Sequence, residues 1–374
     1  MPDYLIKTVG NKKWIWFKNT NNYLQIEEEV YHVFEQLQQM NSVNEVINWC
    51  SEQYGLSQVQ ARNTVLQIEA LFSEQLKEKI IVENEELNAE VTLSFYSAKY
   101  YRFHNAVFHF FYGTAELETM FHPLFAHLET NTNISEAHNI KLFIKEDAYF
   151  LNIDGNPTQS WLQNEDHLFK GQVFMEILNQ AYSKKEEDWM GILHASAIGK
   201  DKNSVLFLGD SGNGKSTASA IALASGLALV ADDFVPIDSG GRVLDFPAAI
   251  SVKKQALSFL SKQFPELLKA KEYELKAMNK TVRYLAPKIS PNSASHKVKG
   301  LVFIQYSADI DFDFEVMDKH LAFQHLVVDS WLSPKEENAR FFMDWMADLP
   351  AYRLRYSNNE KMIEKINELL SDDK

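Results

Sequence analysis

The sequence predicts an α/β protein: a larger C-terminal α/β domain, an α+β middle segment and a small winged-helix-like unit at the N-terminus. Three observations carry this. A short apolar strand, Val205–Leu208, runs into a glycine-rich turn and then an alanine-rich helix. A second apolar strand ends in two adjacent acids, Asp232 and Asp233, sixteen residues after the serine that closes that turn. The first ninety residues open with short strand signals and switch to helical periodicity after Ile26. The expected domain boundaries are 1–85, 91–185 and 186–374.

A chain of 374 residues is long enough for two or three domains. Acidic residues outnumber basic ones by 51 to 37, for a net charge of −14. That argues against a nucleic-acid partner, because phosphate neutralisation needs a basic surface. The single cysteine, Cys50, excludes an intrachain disulfide and any cysteine-based zinc site. No signal-like apolar run opens the chain and no segment approaches a spanning helix. The expectation is a cytoplasmic protein with no membrane partner; a homo-oligomer is left open.

Residues 4–24 alternate apolar stretches (Tyr4–Ile6, Trp14–Phe17) with Gly and Asn turn signals, which predicts one or two β-hairpins. Val30, Val33, Phe34 and Leu37 then fall at helical spacing. A second helix opens at Ser42, with Glu45 at the capping-box position, and buries Val43, Val46, Ile47 and Cys50 before Tyr54-Gly55 stops it. A third carries Val59, Val65, Ile68, Leu71 and Phe72, and ends near Lys79 before the apolar run Ile80–Val82. The Leu24–Tyr31 segment, the Ser42–Ile47 helix and the Tyr54-Gly55 break resemble the PqqD-like family, small domains that bind leader peptides in peptide-modifying systems. The resemblance implies a peptide partner that adds a strand to an exposed sheet edge, here the strands around Lys13 to Phe17. A structural cap without a ligand is the alternative.

Glu83–Glu90 is acidic and reads as a linker. Val91–Phe111 is strand-like until Gly113, and Leu117–Leu128 has helical spacing. Ile140–Ile153 reads as two strands meeting near Glu146-Asp147, and Trp161–Tyr182 holds an amphipathic helix. His104, His109, His122 and His127 show no metal-ligand spacing, and packing is their expected role.

In the turn that organises the chain, Gly209, Gly214, Lys215 and Ser216 fill the fixed positions of the phosphate-loop pattern G-x-x-x-x-G-K-[ST]. Asp210, Ser211, Gly212 and Asn213 lie between them and Thr217 follows. Such a loop brings backbone N–H groups close to a polyphosphate, and the helix behind it adds a positive end. Lys215 is the expected point charge on the terminal phosphates, and the Ser216 hydroxyl is an expected Mg²⁺ ligand. The bland reading is a glycine-rich surface turn. Upstream, Trp189–Ile198 reads as one strand with His194 in it, joined to the loop strand through a turn at Gly199–Asn203. Alone, His194 reads as a packed core residue. Downstream, Asp232 and Asp233 stand where a metal ligand and a general base are needed, one acid raising the other's pKa.

His194, the loop Gly209–Ser216 and the Leu229–Asp233 strand together resemble the catalytic domain of HPr kinase/phosphorylase. The likeness covers roughly residues 188–310 and implies a fold related to phosphoenolpyruvate carboxykinase, a mixed sheet with helices on its faces. It also implies functional roles for His194, Lys215, Ser216, Asp232 and Asp233, with ATP and Mg²⁺ as cofactors. The chain departs from the family at Thr217, where a Glu is usual, and lacks a convincing downstream acidic ligand and signature segment; Lys299–Ile304 is a faint echo. The resemblance therefore extends to nucleotide and metal rather than to HPr as acceptor or to phosphorolysis.

Past the acids, Asp245–Lys254 reads as a strand and turn carrying Lys253 and Lys254, and Lys269–His296 as a polar loop or lid with Arg283. Leu301–Gln305, Phe312–Val316 and Tyr352–Tyr356 read as strands; Leu321–Leu332, Asn338–Met346 and Glu360–Leu370 read as helices. The function expected is a kinase that moves the γ-phosphoryl group of ATP to a hydroxyl, foremost a serine of a peptide or protein bound with help from the N-terminal unit. The alternatives are a nucleotide-binding peptide adaptor without turnover and a small-molecule kinase.

Overall fold

The computed structural model describes residues 3–77, 94–131, 136–275, 280–287 and 295–371. The chain opens with an antiparallel meander of β1 (Tyr4–Val9), β2 (Lys12–Phe17) and β3 (Asn22–Glu27). Helices α1 (Glu28–Gln39), α2 (Val43–Tyr54) and α3 (Gln58–Leu76) follow. The Ser42 hydroxyl caps α2 by accepting from the Glu45 N–H at 3.3 Å, and Gly55 ends it in the left-handed conformation. A two-way capping box of Ser57 and Gln60 starts α3. Phe34 stacks on Phe72 at 3.7 Å between ring centroids, at the centre of a core with Ile15, Phe17 and Cys50. The expected terminal strand Ile80–Val82 and the linker Glu83–Glu90 lie outside the described residues.

One expectation is corrected here. β2 is the middle strand, paired with β1 on one side and β3 on the other, so the Lys13–Phe17 backbone is not an edge. Trp14, Ile15, Trp16 and Phe17 are all buried. Four apolar residues in a row, without alternation, belong to a strand covered on both faces.

The middle of the chain builds a five-stranded sheet: β4 (Ser97–Phe103), β5 (Ala106–Tyr112), β6 (His138–Lys145), β7 (Ala148–Ile153) and β8 (Gln159–Leu162), in that order. Helix α4 (Ala115–Phe125) makes the crossover between the parallel pair β5 and β6, and α5 (Asp166–Tyr182) follows β8. The histidines are tied into this packing. His104 pairs with the Tyr182 hydroxyl at 2.9 Å, His122 with that of Tyr101 at 2.8 Å, and His109 stacks on Tyr100. Burial pushes the His127 pKa down to about 4.

The next strands are β9 (Trp189–Leu193), β10 (Ser196–Lys200) and β11 (Asn203–Leu208), followed by α6 (Lys215–Ala224). Then come β12 (Ala228–Asp232), β13 (Val235–Asp238), β14 (Arg242–Leu244), β15 (Ile250–Lys253) and α7 (Lys254–Leu260). They are followed by β16 (Tyr273–Leu275), β17 (Lys280–Leu285), β18 (Ser295–Tyr306) and β19 (Phe312–Val316). The last elements are α8 (Lys319–Val328), β20 (Ser330–Leu332), α9 (Glu336–Asp348), β21 (Ala351–Tyr356) and α10 (Asn359–Leu370). A mixed sheet runs β12-β10-β11-β18-β14-β13-β9-β20, and β21 with β19 branches from β18. β15, β17 and β16 form a separate antiparallel sheet.

Two sequence expectations change in this region. The helix expected over Leu321–Leu332 stops at Val328 and gives way to β20. Within Lys269–His296, the described residues include β16, β17 and the start of β18 rather than an open loop; 276–279 and 288–294 lie outside the described residues.

The chain gathers into two compact units. One comprises the described residues among 1–82 with Lys319–Val328 and Leu332–Asp348, so α8 and α9 belong with the N-terminal elements. Trp14 of β2 stacks on Phe323 at 4.0 Å, and its indole N–H donates to Nδ1 of His320 at 3.1 Å. Lys7 and Asp344 form a 2.6 Å ion pair. These two helices cover the second face of the meander and explain why β2 is apolar on both sides. The other unit holds the middle sheet and the large sheet together, and so spans the expected boundary near 185. No helix among the described residues is long and apolar enough to cross a membrane.

Candidate nucleotide site

β11 is buried along its whole length, and its carboxyl end delivers the chain into the loop 209–214. Gly209 has φ +132°, and a Cβ there would sit 2.8 Å from the Ile304 carbonyl oxygen of β18, so no side chain fits. The loop is pinned at its far end as well: the Asn213 N–H donates to the Asp210 carbonyl at 3.2 Å, and its carbonyl accepts from the Tyr306 N–H at 3.1 Å. Gly214, left-handed, is the N-cap of α6. Asp210, Ser211 and Gly212 are exposed, while Asn213, Gly214, Ser216 and Thr217 are half-buried. Together these give a short ring of backbone over the start of a ten-residue helix, the arrangement that binds anions.

Lys215 is 6% exposed, and its ammonium donates to the Gly209 carbonyl at 2.5 Å. Burial pulls its pKa down, and the charges of Asp233, Asp232, Asp329 and Asp210 push back. Asp232 closes β12 and is buried, accepting a hydrogen bond from the Ser196 hydroxyl of β10. Burial first, and then the charge of Asp233, push the Asp232 pKa up to about 8; the Ser196 and Ser216 hydroxyls and Lys215 act against that rise. A carboxyl in this condition ionises when a cation arrives. A magnesium ion carried in with a nucleotide would need only one or two protein oxygens, and the Ser216 hydroxyl, hydrogen-bonded to Asp232, and the Asp232 carboxyl are the groups that could supply them.

His194 is placed differently from the sequence expectation. The strand expected over Trp189–Ile198 is broken at His194-Ala195, where the Ala195 N–H turns back to the Leu193 carbonyl at 2.9 Å. The companion break is Asp233-Phe234. Leu193 pairs with Val235 before the break, and Ser196 with Asp232 after it. The register is the same on both sides, so the two interruptions face one another and His194 and Asp233 share one kink. Both side chains are exposed, and Asp233 sits at φ +62°, a conformation Asp tolerates better than most residues. The expected hairpin between β10 and β11 is present, Ser196 opposite Phe207 through Lys200 opposite Asn203.

Three residues of this region escaped the sequence reading. Ser196 left a faint signal, a lone hydroxyl in a buried apolar strand two residues past His194. Asp329, 97 positions beyond Asp232, precedes β20 and acts on Lys215 through space. Tyr284 of β17, its pKa raised to about 12 by burial, Tyr273 and Asp233, is within electrostatic reach of the kink. The basic candidates divide. Arg283 donates to the carbonyls of Leu267 and Leu268 at 2.6 and 2.8 Å, a structural tie, while Lys253 and Lys254 stand at the junction of β15 and α7. Comparison with protein-family models and with curated proteins finds no match to the chain.

Proposed function

We propose that the protein is an ATP- and Mg²⁺-dependent kinase that transfers the γ-phosphoryl group to a serine hydroxyl of a peptide or protein. The observation that carries this reading is the grouping of Ser216, buried Lys215 and a carboxyl, Asp232, held short of ionisation at the head of a helix behind a glycine loop. The likeness of these residues to HPr-kinase-type domains points the same way. Lys215 and the loop N–H groups take up charge on the phosphates; Ser216 and Asp232 would hold the metal, which would supply charge neutralisation on the phosphate oxygens.

The exposed Asp233, rather than the buried Asp232, suits the base. The acceptor Oγ bonds to the γ-phosphorus, the bridging P–O bond to ADP breaks, and the hydroxyl proton passes to the Asp233 carboxylate. His194, on the same kink, orients the incoming hydroxyl. The N-terminal meander and its three helices are compatible with a PqqD-like peptide-binding role, the peptide adding to an outer strand, β1 or β3.

The test is transfer of γ-labelled phosphate to a serine peptide by the whole chain and by Asp233→Asn. Label on serine, lowered about a hundredfold or more in Asp233→Asn with ATP binding kept, supports the reading. ATP binding with no transfer to any acceptor contradicts it and leaves a nucleotide-gated adaptor. Transfer confined to small metabolites contradicts the peptide assignment.

A further inference from the structure

The loop has two flanks in the sheet. On one lie β10 and β12, with Ser196, Asp232 and the kink of His194 and Asp233. On the other lies β18, parallel to β11, which ends at the same edge in Tyr306. A triphosphate seated in the loop with its metal-bound end toward the acids has the second flank open to its nucleoside end. Tyr306 borders the loop on that side. Its N–H is bonded to the Asn213 carbonyl, and its Cβ lies 3.5 Å from where a Cβ on Gly214 would be.

Tyr306 is also an anomaly as a core residue. It ends a strand whose preceding residues 300–304 are buried, yet it is 55% exposed. The buried ring of Tyr356, at the end of the neighbouring strand β21, meets it edge-on at 6.0 Å and 90°. The Tyr306 ring is thus braced on one side. The rigid backbone tie and the supported ring make a pre-positioned aromatic surface of the kind on which bases stack.

We infer that Tyr306 is the nucleobase platform of this site, stacking on the purine of the bound nucleoside triphosphate. This rests on the nucleotide reading above. Stacking is tolerant of base identity, so ATP and GTP use the same ring.

The experiment is calorimetric titration of the whole chain with ATP, GTP and inorganic tripolyphosphate, each with Mg²⁺, for wild type, Tyr306→Ala and Tyr306→Trp. Melting by circular dichroism checks that each variant is folded. Tyr306→Ala is expected to bind both nucleotides roughly tenfold or more weakly, tripolyphosphate within about twofold of wild type, and Tyr306→Trp to keep nucleotide affinity. Unchanged nucleotide affinity in Tyr306→Ala overturns the platform while leaving the nucleotide site standing. An equal loss of tripolyphosphate also overturns it, since the ring then serves the loop and not a base. A wild type that binds none of the three ligands overturns the nucleotide reading itself.

Discussion

Between the pH at which an ordinary carboxyl ionises and about pH 8, folded Asp232 keeps a proton that the unfolded chain has already lost. The folded state then binds more protons than the unfolded one, so stability without ligand falls as pH rises through that window and levels off above it. Asp232→Asn removes the titration and should flatten the slope. Thermal melts at pH 5 and pH 8.5 should show a smaller drop for the variant than for wild type; equal drops contradict the assignment. The loop motif and the acid pair were legible because the chemistry lies within a few consecutive residues. Ser196, Tyr284 and Asp329 were not, because each reaches the site through strand pairing or through space rather than local spacing.

For the elements, the kinked ladder and the pinned loop matter most. Gly209→Ala places a Cβ against the Ile304 carbonyl at a φ closed to other residues, and should cost roughly 2 kcal/mol or more in stability. Denaturant titration measures it, and a neutral Gly209→Ala would mean the loop is not held as described. Periodicity gave most helices and strands to within a few residues. It missed the break at His194, since Trp189–Ile198 is apolar on both sides of the break and only the left-handed Asp233 on the partner strand marks the kink. It also misjudged β2, whose unbroken apolar run signals cover on both faces rather than a free edge.

At the scale of the molecule, the boundary expected at residue 85 would sever α8 and α9 from the meander they pack on. Trp14 and His320 are 306 positions apart, and no local pattern in a helix names its distant partner. A fragment of residues 86–374 exposes Phe323 and Phe342, both buried in the whole chain. It should aggregate or bind a hydrophobic dye strongly, as read by gel filtration and dye fluorescence; a monodisperse, dye-silent fragment contradicts the packing. Within the whole chain, Trp14→Ala should cost about 3–5 kcal/mol. On the proposed function, the loop after Leu208 grips a triphosphate beside Lys215 and Asp232. Calorimetric titration of ATP with Mg²⁺ into wild type and Lys215→Ala decides it. Saturable binding is expected in wild type, falling by about a hundredfold or more in Lys215→Ala. No heat in wild type, or equal affinity in the two proteins, would contradict it.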